Sequence, residues 1–536
     1  MTHRAKSGAY PRRTESKDNC LRDGTPLPGE GMFEVAPPSA HSLIEALRGV
    51  GYSLATAAAD LIDNSISAGA RNVWLNFTYA GKDSTISLLD DGSGMDSAEL
   101  VRAMTLGARN PTERRAANDL GRFGLGLKTA SFSQCRRLTV ASRRSGTSAV
   151  RVWDLDHVAR TNDWQLLIGP GTGSVEYLTR LDAMPSGTLV LLEKLDRIVE
   201  GVPSGRSQDA FLALIDRVED HLAMVFHRFL EGSSPDLRIY INGVSPSARV
   251  KPWDPFMGDS VTTVATPQEY IATAQGTVGL RGFVLPHKDF LTAAEFSSGG
   301  GPEGWIAQQG FYVYRNRRML LAGGWLGLGE ERAWTREEPF KLARLRLDIP
   351  NTADDEWKID IKKSTARPPP ELRPRLKALA SHVRHQARQV FAHRGFYGRT
   401  PVVTDLNHAW ISVTAGSAAA YRISRSHPAV RRLIDAAGSD PGAVEAALRV
   451  IEETVPVQRI WLDTVEKGEV KNANFASSPS PEIMEVLSGI YLHLTTRVGL
   501  APEAARNQLL SSEPFQNFPE VIAALGLETP ACGKQP

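Results

Sequence analysis

Three glycines followed two residues later by a lysine, in the stretch Leu120–Ala130 (LGRFGLGLKTA), constrain the fold more than any other feature of the chain. Glycine lets backbone N–H groups close around an anion. A helix starting there adds the positive end of its dipole, and Lys128 adds a full charge. The stretch reads either as a phosphate cradle or as a plain glycine turn before a helix, and these residues alone leave both readings open. The spacing does exclude two nucleotide folds. A P-loop needs Gly-Lys-Ser/Thr, but Leu127 separates Gly126 from Lys128. The dinucleotide fingerprint is GxGxxG, whereas Gly121, Gly124 and Gly126 are spaced GxxGxG.

Composition sets looser bounds. The chain has 536 residues, 42% hydrophobic and 23% charged, enough for several buried cores. A formal net charge of +2 means that any attraction to nucleic acid must come from a local surface. Cys20, Cys135 and Cys532 are scattered, which suggests neither a disulfide framework nor a metal cluster and leads to a cytoplasmic expectation. No stretch approaches the apolar length of a membrane span, so no membrane partner is expected.

The pattern along the chain divides it into four parts. Residues 1–40 are polar and rich in Pro, Gly and Arg, and read as a flexible tail. In residues 41–200, Leu54, Ala58, Leu61, Ile62 and Ile66 recur at helical spacing up to Gly69. Val73, Leu75, Phe77 and Tyr79 then alternate as a strand, with Ile86, Leu88 and Asp90 as its hairpin partner. Leu138–Ser142, Ala149–Leu155 and Thr188–Leu192 add strands, which makes this an α+β domain. Residues 201–400 form a second α/β unit with strands in Asp236–Val244, Gly310–Asn316 and Trp357–Lys363, then a helix from Glu371 to about His393. Residues 401–536 read as α-rich, with helices at Pro428–Ala437, Pro441–Thr454 and Pro481–Val498.

Two further segments carry chemistry. In the first helix, Asp60, Asp63, Asn64 and Ser67 lie opposite the apolar residues, with Asp60 and Asn64 one turn apart. This is either a solvated face or a division of labour, with a carboxylate to deprotonate water and an amide oxygen to bind Mg2+. The segment Leu88–Met95 (LLDDGSGM) delivers Asp90 at a strand end, followed by Gly92 and Gly94. It is either an Asp-Gly turn or a base reader, in which a buried carboxylate accepts the adenine amino proton and the glycines admit a flat ring. Gly187–Val190 (GTLV) contributes a threonine, Thr188, entering a strand.

Taken in order, ADLIDNSISAGA (Ala59–Ala70), DDGSGM (Asp90–Met95), GRFGLGLKTASFSQC (Gly121–Cys135) and GTLV resemble the motifs of the GHKL ATPase superfamily, the group of gyrase B, Hsp-type chaperones, histidine kinases and MutL. The resemblance covers roughly residues 42–195. It implies a Bergerat-type α/β sandwich ATP-binding domain, with ATP and Mg2+ as cofactors. It casts Asn64 as the Mg2+ ligand and Asp90 as the adenine reader, helped by Thr188. Gly92, Gly94 and Met95 line the base, and Gly121, Gly124, Leu125, Gly126, Leu127 and Lys128 surround the phosphates. Residues Thr105–Leu120 would be a mobile lid. Relatives that hydrolyse ATP usually carry glutamate as general base where this chain has Asp60, so the resemblance implies hydrolysis, but slow.

The resemblance also casts the second unit as a transducer that sends a cation to the γ-phosphate, and Lys363 is the candidate. Its alternative is a solvated pair with Lys362. MORC-like and MutL-like segments (RIYING, FYVYRNRRML) imply an ATP-driven homodimerising clamp with residues 1–40 as a strap. They imply a bacterial DNA transaction, restriction or antiviral defence, with a separate effector subunit. The helix after Pro370 carries Arg373, Arg375, Lys377, Arg384, Arg388 and Arg394, either as a solvated face or as a phosphate-tracking stripe. A chaperone acting on proteins and a non-catalytic ATP switch are the competing classes.

Overall fold

The computed structural model describes residues 38–526 except 50, 108–125, 172, 199–204, 354–355, 360–365, 393–406, 416–417, 439–440, 458, 461–480 and 513. Residues 1–37 of the expected strap, most of the expected lid, Gly121, Gly124, Leu125, Lys363 and Arg394 lie outside the described residues. The chain is a mixed α+β protein that divides into two compact units at Phe396/Tyr397.

The first unit opens on two helices. Ser53 caps the second, Leu54–Ser67, by accepting from the Thr56 backbone N–H at 3.1 Å. Gly69, at φ +74°, follows its end, as the helical spacing predicts. Seven strands follow in one sheet: β1 Asn72–Thr78, β2 Thr85–Asp90, β3 Arg137–Arg144, β4 Thr147–Asp154, β5 Leu167–Ile168, β6 Gly187–Glu193 and β7 Arg238–Ile241. Their spatial order is β5-β4-β3-β6-β2-β1-β7. The face formed by Val73, Leu75, Leu88, Leu138, Val140, Val190 and Leu192 packs under helices Leu54–Ser67, Gly126–Phe132 and Gly205–Val225. On the opposite face Leu89, Ala141 and Leu189 pack with Leu181 of helix Val175–Asp182.

Strand β7 lies in the segment expected to begin the second unit. It instead completes the first sheet, pairing parallel with β1 at Asn72↔Arg238. A parallel partner needs a long crossover, here including the Gly205–Val225 helix, and local alternation cannot report that pairing.

The second sheet contains β8 Val264–Ala265, β9 Glu269–Thr273, β10 Gly276–Val284, β11 Gly310–Arg315, β12 Arg318–Ala322 and β13 Ala343–Ile349, with β11 parallel to β13. Helix Arg373–Ala392 covers one face through Leu376, Leu379, Ala380 and Val383 against Leu345, Leu347, Val278 and Val313. Three cations of this helix are engaged within the unit. Arg384 is buried with its guanidinium 3.6 Å from the Phe340 ring centre and 4.5 and 4.6 Å from Trp325 and Trp334. Arg375 pairs with Glu269 at 2.6 Å, and Arg373 donates to the Gly327 carbonyl at 3.0 Å. A phosphate-tracking stripe of six cations is therefore corrected: Arg384 belongs to an aromatic core.

The expected strand Trp357–Lys363 is also corrected over its described part. Residues 356–358 form a turn, with Lys358 at φ +48° and the Trp357 N–H bonded to the Ala353 carbonyl at 2.9 Å. Trp357 and Ile359 are buried, as their alternation requires. The apolar spacing is satisfied by a turn because the tryptophan fills the core beneath the long helix.

The second unit, described from Asn407, contains a hairpin (β14 Trp410–Ala415, β15 Ala418–Ile423) and helices Pro428–Ala436, Pro441–Thr454, Pro481–Thr496, Pro502–Leu510 and Pro519–Ala524. Each helix opens on proline, whose missing N–H costs nothing at a first helical position. Leu487, Ile490, Leu494, Leu509 and Phe518 form its core. Among the described residues of the whole chain, no helix is long and apolar enough to cross a membrane.

Two histidines of the first unit are held neutral. Burial pushes His227, bonded at 2.8 Å to the Tyr314 hydroxyl, down to about 3, and pushes His221 down to about 4. The unfolded chain protonates both near 6.5. With folded values depressed, the stabilisation is present above that pH and is lost as pH falls toward the folded values. The melting temperature should therefore drop as pH falls from about 6.5 toward 4. His227→Phe should flatten that dependence, and an unchanged pH profile in the variant would contradict the assignment.

Candidate active site

The site is built where the end of β2 meets helix Leu54–Ser67. Asp90 is 4% exposed. Its Oδ2 accepts from the Ser65 hydroxyl at 2.8 Å, and its Oδ1 accepts from the backbone N–H groups of Gly92 at 2.9 Å and Thr188 at 3.2 Å. Burial drives the Asp90 carboxyl above its usual range, against the lowering effect of these three donors. The pairing Asp90↔Thr188 between β2 and β6 fixes the geometry. A carboxylate offers about four acceptor positions, so three donors from the described residues leave one for a ligand amino group.

A second hydroxyl extends the network. Ser142 of β3 lies 2.9 Å from the Thr188 hydroxyl, donates to the Gly187 carbonyl at 3.2 Å and accepts from the Met95 N–H at 2.8 Å. Ser65 and Ser142 both escaped the sequence reading, although each had a signal. Ser65 sits three and four residues after Ile62 and Leu61, on the apolar side of its helix, and Ser142 continues the inward alternation of Leu138 and Val140.

The glycines of the Asp90 segment owe their identity first to backbone packing. A Cβ on Gly94, at φ +64°, would lie 1.9 Å from the Arg143 carbonyl oxygen. A Cβ on Gly92 would lie 2.9 Å from the Ala68 methyl and 3.0 Å from Asp90 Oδ1. The segment therefore combines the local turn and the buried carboxylate that the sequence left as alternatives.

On the helix, the solvated-face reading fails for two of the four polar residues. Asp60 and Asp63 are 4% and 2% exposed, whereas Asn64 and Ser67 face outward. The Asn64 amide nitrogen donates to the Asp60 carbonyl at 3.1 Å, which leaves the amide oxygen as the end suited to a hard cation. Gly126 opens the helix Gly126–Phe132 beside Asp60, and a Cβ there would stand 3.9 Å from Asp60 Oδ2. The glycine stretch and the helix carboxylate, far apart in sequence, thus meet. Leu127 and Met95 pack at the edge of the core. Lys128 is buried, and its ammonium donates at 2.9 Å to the Ala103 carbonyl near the C-terminus of helix Ser97–Met104.

Residues 52–188, the span that contains all of these side chains, match the family of histidine kinase-, DNA gyrase B- and HSP90-like ATPases. This segment is a GHKL-type ATPase domain. Over 91 residues the chain is also 32% identical to the "ATPase morc-1" of Caenorhabditis elegans, a match that covers 17% of this chain and 10% of that protein's length. A GHKL domain binds ATP, and the donor set fits it: a buried acceptor for an amino group, an outward amide oxygen and a glycine-rich approach beside a carboxylate.

The GHKL domain also receives a residue that the sequence reading missed. Arg318, the first residue of β12 in the second sheet, is 3% exposed and lies 3.2 Å from both carboxylate oxygens of Asp63 and 3.7 Å from Asp60 Oδ1. Nothing in the local sequence distinguishes it from its neighbours Arg315 and Arg317.

Gly94→Ala should lower the thermal midpoint by roughly 5 °C or more, because it combines a strained φ with a collision against backbone. A midpoint within a degree of wild type would show that the segment yields.

Proposed function

We propose that the chain is an ATP-binding, Mg2+-dependent ATPase that uses the nucleotide to close a clamp. The observation that carries this reading is the buried Asp90 carboxylate, with one acceptor position left over, next to the helix that bears Asp60 and Asn64. Asp90 accepts the adenine amino proton, and the Thr188–Ser142 hydroxyl pair holds the strands that frame the base. Asn64 would hold Mg2+ through its amide oxygen, and the ion would supply positive charge to the phosphates. Asp60 takes the proton of the attacking water, from a position beside Gly126 where the backbone can approach closely. Gly121, Gly124 and Leu125 complete the phosphate loop, with Lys128 at its end and Lys363 as the cation from the second α/β unit. Aspartate is one methylene shorter than glutamate, so turnover is slow.

The clamp reading extends the likeness to a MORC ATPase. ATP binding orders the lid and brings two protomers together, hydrolysis releases them, and the clamp acts in a DNA transaction such as restriction or antiviral defence with a separate effector subunit. Exposed Arg388 and the part-buried Lys377 remain as phosphate contacts on the long helix.

Phosphate release tests the core of this reading. Asp60→Ala should lose about a hundredfold or more of the turnover while keeping ATP binding. DNA should stimulate the wild type at low salt and less so as salt rises. Wild-type turnover no faster than that of Asp60→Ala overturns the ATPase assignment. Absence of DNA stimulation at low salt removes the DNA-clamp part and turns attention to protein substrates.

A further inference from the structure

We infer that Arg318 is a positioning residue for hydrolysis: reaching from the β11–β12 hairpin, it grips Asp63 and thereby fixes the carboxylate of Asp60. This rests on the ATPase reading above, and it gives the second sheet a role in that chemistry that differs from contact with phosphate.

The backbone dictates where Arg318 points. Asn316 and Arg317, at φ +48° and +69°, form a two-residue turn, and the strands close on the pair Arg315↔Arg318. The side chain is then fixed at three points. Its Nη1 donates to the Met319 carbonyl at 2.7 Å, its Nε lies 3.2 Å from Oδ1 and Oδ2 of Asp63, and its Nη2 lies 3.7 Å from Asp60 Oδ1. The Phe226 ring, 5.9 Å from the guanidinium carbon, closes one side.

The unequal sharing is the informative part. Arg318 stands between two buried carboxylates three residues apart on one helix. It bonds Asp63 and stays beyond hydrogen-bond distance of Asp60, yet well within Coulomb range. A general base must keep a lone pair for the proton of water, so a direct bidentate pair with Asp60 would occupy the atoms that do the work. Removing Arg318 would take away positive charge that lies within 4 Å of both buried carboxylates. Asp63 resolves the conflict by taking the guanidinium and holding it beside Asp60. The two oxygens of Asp60 then have different neighbours: Oδ1 faces Arg318, while Oδ2 faces Gly126 at the end of the phosphate loop. His221, on the Gly205–Val225 helix that packs here, is pushed down to about 4 by burial and by Arg318, so at neutral pH it brings no second positive charge to Asp63.

Turnover at saturating ATP and the ATP dissociation constant, measured on the full chain for wild type, Arg318→Lys, Arg318→Gln, Asp63→Asn and the Asp63→Asn/Arg318→Gln double variant, test this. Arg318→Gln should lower kcat by about tenfold to a hundredfold with ATP affinity within about threefold of wild type, and Arg318→Lys should recover part of the loss. The double variant should be no slower than Arg318→Gln alone, because both changes remove one device. If Arg318→Gln does not fold, Arg318→Lys and Asp63→Asn carry the test: each should reduce kcat with affinity kept. Wild-type turnover in Arg318→Gln, parallel loss of affinity and kcat, or multiplying effects of the two changes overturns the inference alone. Absence of turnover in the wild type overturns both the inference and the ATPase reading.

Discussion

The Asp90 carboxylate is the point on which the architecture turns. Burying a carboxylate is costly unless donors surround it, and here they come from three places: a hydroxyl on the first long helix, the N–H of its own turn and the N–H of β6. Those contacts specify that β6 lies beside β2 and that the Leu54–Ser67 helix crosses the end of that pair. The same contacts leave the carboxylate incompletely used, which is what a binding site requires. In the proposed ATP site, structural anchoring and ligand recognition would be one requirement, met by one side chain.

Close backbone approach is the second constraint. Gly94 fits against the Arg143 carbonyl, and Gly187, whose Cβ would stand 2.3 Å from the Asp90 carbonyl oxygen, lets β6 meet the end of β2. Side chains at these positions would push apart the strands that carry Asp90 and Thr188. The glycines then serve the sheet as much as they serve any bound ring, and the carboxylate stays in register because they are there.

How far the sequence discloses this follows from the range of the forces involved. The Leu54–Ser67 helix and the β1–β2 hairpin were legible because their signals are local: a helical apolar repeat, an alternating strand and a terminal glycine. Asp90, Asn64 and Gly126 were singled out through motif order, and the structure brings Asp60 and Gly126 together as that order implies. What stayed hidden depends on contacts between distant segments. The parallel pairing of β7 with β1, the aromatic box around Arg384 and the burial of Asp60 and Asp63 under a hairpin leave no periodic trace. The Trp357 segment shows the converse, since an apolar alternation read as a strand is satisfied by a turn. Lys363 and most of the phosphate loop lie outside the described residues, so their roles rest on motif resemblance.

Arg318 joins the two sheets of the first unit at their chemically sensitive point. A hairpin whose turn fixes its register carries a cation into the acidic pocket of the nucleotide domain, where it hydrogen-bonds Asp63 at 3.2 Å and stands 3.7 Å from Asp60. The most direct measurement of the whole account is a structure of the chain with a non-hydrolysable ATP analogue and Mg2+. The account predicts the adenine amino group within hydrogen-bond distance of the Asp90 carboxylate and the metal on Asn64 Oδ1. A nucleotide bound away from Asp90, or no binding at all, would contradict it.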